Sequence, residues 1–178
     1  RAKNLTLATL VSLAKISLKL GRYEQTERMM EEMEKYLAIL PGEAGNFDIM
    51  LLRLLVAEFF HDEAEQEYLK KTYQSFIQCP YMIDFFWDCV DFMAYLEKTG
   101  HDDLLENVIQ QLEKSMQEEA VPDMSLHVLR FKINLLKRQG RKEELTAQLD
   151  HFFRLSNLQN KQTEEAIQMI IETKKTHQ

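Results

Sequence analysis

Histidines are the first residues to weigh for chemistry, and the chain has five: His61, His101, His127, His151 and His177. No two stand three or four apart, so no helix face would present the paired imidazoles of a zinc site. His61 and His101 fall at equivalent positions between helices, where capping or contact with solvent is the better reading. Asp84, Asp88 and Asp91 share one face of a helix beginning near Met82. Three carboxylates on a stripe could hold a hard cation, but a cage needs more oxygen ligands from a loop, and none is offered. They read as a polar groove face or a solvated stripe. Cys79 and Cys89 stand ten apart with no C-x-x-C, and two free, partly buried thiols favour a reducing compartment, hence a cytoplasmic protein. No G-x-S-x-G, P-loop, G-x-G-x-x-G or H-E-x-x-H occurs. The expectation is a segment that is not an enzyme, with no catalytic residue, no metal ligands and no cofactor.

The elements that must position these side chains are helices. Of 178 residues, 45% are hydrophobic and 29% charged, which excludes a disordered or collagen-like chain. With only five Gly and three Pro, and many Leu, Met, Glu, Gln and Lys, the composition favours residues that lose little rotamer freedom in a helix. A net charge of −7 argues against nonspecific nucleic-acid binding, which needs Lys and Arg to displace counterions from phosphates. The longest apolar stretch, Ile49 to Phe60, is interrupted by Arg53 and Glu58 and is too short to cross a bilayer, so no membrane insertion is expected. No signal peptide is visible, and the opening Arg1 is compatible with a piece of something longer.

The few helix breakers are periodic. Pro41, Pro80 and Pro122 are separated by 39 and 42 residues, and Gly21, Gly100 and Gly140 by 79 and 40. Before each glycine runs an amphipathic helix, such as Leu10, Leu13, Ala14, Ser17 and Leu18, and a second follows, such as Tyr23, Thr26, Met30, Met33 and Leu37. One unit lacks its glycine; its turn should fall near Phe59-Phe60-His61-Asp62, with Asp62 capping the next helix and Glu65 completing a box. The spacing therefore predicts one all-α domain of four helical hairpins, about 2–40, 43–79, 82–120 and 123–156. A last helix follows at about 160–176, carrying Ala166, Ile167, Ile170 and Ile171 on one side. A period near 40 implies a stacked right-handed α-solenoid.

These units resemble tetratricopeptide (TPR) repeats. The first is nearest, with Leu10, Leu13, Ala14 and Ser17, the turn Gly21-Arg22-Tyr23-Glu24-Gln25, and then Thr26, Met30 and Met33. The third matches at Phe92, Met93, Leu96, Gly100, Leu105 and Ile109, and the fourth at Leu129, Ile133, Leu136, Gly140, Leu145 and Leu149. The units depart from the family in their length, about six residues beyond its 34, and in carrying Thr26, Leu105 and Leu145 at the tight contact. A second resemblance joins the stretch Phe152 to Ser156 and the helix from Gln159 to Thr173 to repeat regions ahead of bacterial diguanylate cyclase (GGDEF) domains. It implies a sensory or regulatory context, not an activity of this chain.

The TPR resemblance implies a concave surface made by the first helix of each unit. It assigns Ser12, Lys15 and Lys19 from the first unit, and Met50, Leu54 and Glu58 from the second. The third gives Trp87, Asp91, Ala94 and Lys98, and the fourth His127, Arg130, Asn134 and Arg138. The peptide-groove residues expected to matter are Lys15, Lys19, Trp87, Asp91, Arg130, Asn134 and Arg138: basic ends and an aromatic middle, suited to a protein or peptide partner anchored by Trp87. Two other readings stand beside this one. The repeats and last helix could form a homodimer that holds an output domain, through Ile167 and Ile170. Alternatively, Asp84, Asp88, Asp91 and Trp87 could line a small-molecule site. Within Phe85-Phe86-Trp87 one ring should point away from the core, whereas Met29, Met30 and Met33 read as core filling.

Overall fold

The computed structural model describes the backbone of residues 2–79, 82–116 and 122–176, and side chains over 6–79, 82–116 and 124–164. Pro80 lies outside the described residues, and the side chains of Pro122, Ala166, Ile167, Ile170 and Ile171 are likewise outside them. Among the described residues there are eight α-helices and no strand: α1 (Ala2–Lys19), α2 (Tyr23–Ile39), α3 (Phe47–Phe60), α4 (Glu65–Gln78), α5 (Phe86–Thr99), α6 (Asp102–Met116), α7 (Pro122–Gln139) and α8 (Lys142–Thr176). Short 3₁₀ turns at Pro41–Gly45 and Met82–Phe85 precede α3 and α5.

Four of the connections between helices are built alike. Gly21, His61, Gly100 and Gly140 sit in the left-handed region at φ of 69°, 54°, 75° and 69°, in steps of 40, 39 and 40 residues. At each, the residue after or at the turn donates its backbone N–H across six residues: Arg22 to Ser17, Asp62 to Ala57, His101 to Leu96 and Arg141 to Leu136, at 2.9–3.0 Å. This is the Schellman closure, which satisfies carbonyls that the ending helix would leave orphaned. The second turn was expected at Phe59-Phe60-His61-Asp62, and His61 takes there the conformation that glycine takes in the other three. The Asp62 carboxylate accepts the Ala64 N–H at 2.9 Å, just ahead of α4.

Contact density divides the chain into two compact units, residues 1–88 and 89–178, with the division in the first turn of α5. In the first, Leu7, Val11 and Ala14 of α1 meet Met33 and Leu37 of α2 and Ile49, Met50 and Leu52 of α3, with Met29 and Met30 packed at the margin. Phe76 of α4 packs against Phe47 of α3 with ring centroids 5.6 Å apart. The buried hydroxyls Thr26 and Thr72 each donate to the carbonyl one turn back, Arg22 and Tyr68, and among the described residues no buried side-chain polar atom is stranded. In the second unit the buried residues include Phe92, Met93 and Leu96 on α5, Leu105, Val108, Ile109 and Leu112 on α6, and Val128, Leu129, Phe131, Leu135 and Leu136 on α7.

One expected boundary is absent. The pattern predicts a break near 157–160, yet α8 runs unbroken for 35 residues. The residues there, Asn157-Leu158-Gln159-Asn160-Lys161, are polar but include neither Gly nor Pro, so nothing removes a donor or favours positive φ. Over its described side chains α8 has no fully buried residue, and Phe153 is 61% exposed.

Candidate functional site

Seven residues were singled out as groove residues, and they divide between the two units. Lys15, Lys19 and Trp87 fall in the first; Asp91, Arg130, Asn134 and Arg138 fall in the second.

In the first unit, Trp87 is the exposed ring of the Phe85-Phe86-Trp87 block. Three consecutive residues on a helix point in three directions, so they cannot all reach one core. Phe86 is buried, Phe85 is half-buried, and Trp87 stands 63% exposed, edge-on to Phe86 at 5.5 Å between ring centroids and 72° between planes.

Lys15 does not present a free cation. Its ammonium is bonded to the carboxylate of Asp88, and the two side chains are only 12% and 16% exposed. Asp48, at the start of α3, lies within electrostatic reach of both, and its Oδ1 accepts the Ile49 N–H at 2.9 Å. Burial, and next the charge of Asp88, push the Asp48 carboxyl above the usual carboxylate range, with the Ile49 N–H and Lys15 pulling the other way. The arrangement thus joins α1, α3 and the start of α5 through two carboxylates and one ammonium, a local surplus of one negative charge. Asp84, three residues before Trp87, is exposed.

Two residues expected to line the surface are core instead. Met50 and Leu54 are buried because α3, FDIMLLRLLVAEFF, is apolar on nearly every side and carries seven buried residues. Lys19 is exposed at the end of α1, and Leu13, Ile16 and Leu20 form an exposed apolar stripe along the same helix.

In the second unit, Arg130, Asn134 and Arg138 share a face of α7 at intervals of four residues. Arg138 donates to Glu97 at 2.9 Å and Asp102 at 2.7 Å, and those hydrogen bonds, foremost the one to Asp102, hold its guanidinium above its ordinary range. It therefore clamps α7 to α5 and to the start of α6, so the expected basic end is largely neutralised. Arg130 is exposed, with its guanidinium carbon 5.1 Å from the centroid of Phe131; Asn134 and Asp91 are half-buried. Arg141 bridges α6 and α8 through Glu106 and Glu144, a contact that no motif or spacing singles out.

The other candidates for chemistry stay apart. His61 and His101 sit at the turns, as expected, and the Tyr95 ring stacks near that of His101 at 6.4 Å. Cys79 is half-buried and Cys89 buried, and both are thiols rather than halves of a disulfide. Among the described residues no group of three His, Cys, Asp or Glu side chains is placed to hold a metal ion, and no helix is long and apolar enough to cross a membrane. No known protein family, curated protein or solved structure matches the chain.

Proposed function

We propose that this chain is a non-enzymatic interaction module: a right-handed, TPR-like α-solenoid that binds a protein or peptide segment with Trp87 as the anchor. The observation that carries the reading is the 63% exposure of the only tryptophan, edge-on to Phe86 at the start of α5. The four equal turns at steps of 40, 39 and 40 residues support the repeat reading. The resemblance to repeat regions ahead of diguanylate cyclase domains supports a sensory or regulatory place in a larger bacterial cytoplasmic protein; sequencing the full reading frame tests that context.

Binding itself is tested by calorimetric titration of a random nonapeptide pool into the protein and into Trp87→Ala. Binding that is lost in the variant supports the anchor. Equal binding to both proteins, or none to either, refutes it.

A second reading is a homodimeric scaffold, favoured by the outer side of α8, where Phe153 and Leu158 are exposed. It predicts a dimer in light scattering that Phe153→Glu with Leu158→Glu converts to monomer. A monomer at high concentration before any substitution sinks it.

A further inference from the structure

The left-handed residues Gly21, His61, Gly100 and Gly140 give every hairpin a common register, and within each compact unit the same places meet. In the first unit Arg53, eight residues before His61, donates to Glu34, thirteen after Gly21, at 2.7 Å. In the second unit Lys132, eight before Gly140, donates to Glu113, thirteen after Gly100, also at 2.7 Å. A second pair of places repeats as well. Tyr23, two after Gly21, stacks on Phe59, two before His61, with ring centroids 4.4 Å apart. Asp102, two after Gly100, accepts from Arg138, two before Gly140, at 2.7 Å. The second helix of one hairpin thus meets the first helix of the next in one register, whatever chemistry fills it.

The same places on α1 and α8 lie open. Leu13, eight before Gly21, is 41% exposed, and Ile16 beside it is 53% exposed. The equivalents of Ile16 in the later hairpins, Val56 and Leu135, are half-buried and buried. On α8, Phe153 stands thirteen after Gly140 and is 61% exposed. Leu145, Leu149 and Phe152 are only half-buried, whereas their equivalents on α6, Leu105, Ile109 and Leu112, are buried. Both members of the ion pair found at the inner junctions are therefore replaced by apolar side chains, one on each open face. We propose that a second copy of this chain covers them, with α8 of one molecule on α1 of the next and Phe153 against Leu13. The contact is heterologous, and removing these side chains from water drives it. Lys142 and Lys19, both exposed, take the other pair of places, so like charges oppose the contact and keep it weak. This rests on the homodimer reading, to which it gives a specific surface, and is independent of the Trp87 anchor.

The test follows the whole chain by sedimentation velocity from micromolar to millimolar concentration. The wild type should form dimers and then larger species, because a heterologous contact leaves one face open at each end. Leu13→Glu and Phe153→Glu change exposed side chains, and each alone should weaken association by about tenfold or more, with circular dichroism unchanged. Mixed in equal amounts, they should form a one-to-one dimer and nothing larger, since the first keeps its α8 face and the second its α1 face. Leu13→Arg with Phe153→Glu in one chain copies the Arg53–Glu34 pair and should associate again. Salt should tighten the wild-type contact by about threefold, and Lys142→Asp should remove that gain. A wild type that stays monomeric at millimolar concentration overturns the inference and leaves the Trp87 anchor standing. A Leu13→Glu variant that still dimerises while Phe153→Glu does not would also overturn it, in favour of a symmetric contact between two α8 helices.

Discussion

The left-handed residue at each helix turn gives a reciprocal prediction. Gly100 has φ +75°, and a Cβ built on it meets no atom within 4 Å. Gly100→Ala therefore adds no clash, and its cost is conformational alone. An L-residue in the left-handed region costs about 1–2 kcal/mol. Alanine recovers about 0.4–1 kcal/mol of that by restricting the unfolded chain. The net expectation is a loss of about 1 kcal/mol. His61 occupies the equivalent place at φ 54°, ψ 42°, so His61→Gly reverses both terms and should gain about 0.5 kcal/mol. Equilibrium urea unfolding followed by far-UV circular dichroism reads both as shifts of midpoint at constant slope, and Trp87 emission reports the first unit separately. A neutral or stabilising Gly100→Ala, or a destabilising His61→Gly, would refute the view that these four turns are one repeated structure.

Lys15→Met strands the buried Asp88 carboxylate beside Asp48 and should cost about 3 kcal/mol in urea unfolding, most of it recovered by adding Asp88→Asn. Because the folded protein raises the Asp48 pKa, it binds that proton more tightly than the unfolded chain; the associated stability is complete below the ordinary value of 3.8 and is lost as pH rises through the folded value. Asp48→Asn should remove that decline, so the stability difference between wild type and variant should change between pH 3.5 and neutrality, in the variant's favour as pH rises; a constant difference contradicts the burial argument. Leu52→Ala, at a fully buried position in the first unit, should cost about 2–5 kcal/mol by the same assay.

The turns were legible in the sequence because helix termination is local chemistry: three glycines set a period, and the period located a fourth turn at His61 without one. The start of α7 at Pro122 is legible for the same reason, since proline is preorganised for a first helical position. The continuity of α8 was not, because a polar stretch looks like a break although it contains nothing that stops a helix. The charge of the candidate site was also hidden. Lys15 and Asp88 are 73 residues apart, and only tertiary packing turns an expected groove cation into one half of a buried pair. Arg138 is the same case, joined to Glu97 across 41 residues. The TPR mapping assigns Met50 and Leu54 to the lining, but in a helix apolar on nearly every side the family's register does not say which face turns outward. Trp87, by contrast, follows from geometry that any helix imposes: of three adjacent rings, one must leave the core.

The central claim is that a partner seats on Trp87, and acrylamide quenching of this single tryptophan tests it most directly. The free protein should quench readily, as its 63% exposure requires. Saturation with the nonapeptide pool should lower the quenching slope to that of a buried indole. A slope left unchanged while calorimetry registers binding would place the partner elsewhere and contradict the account.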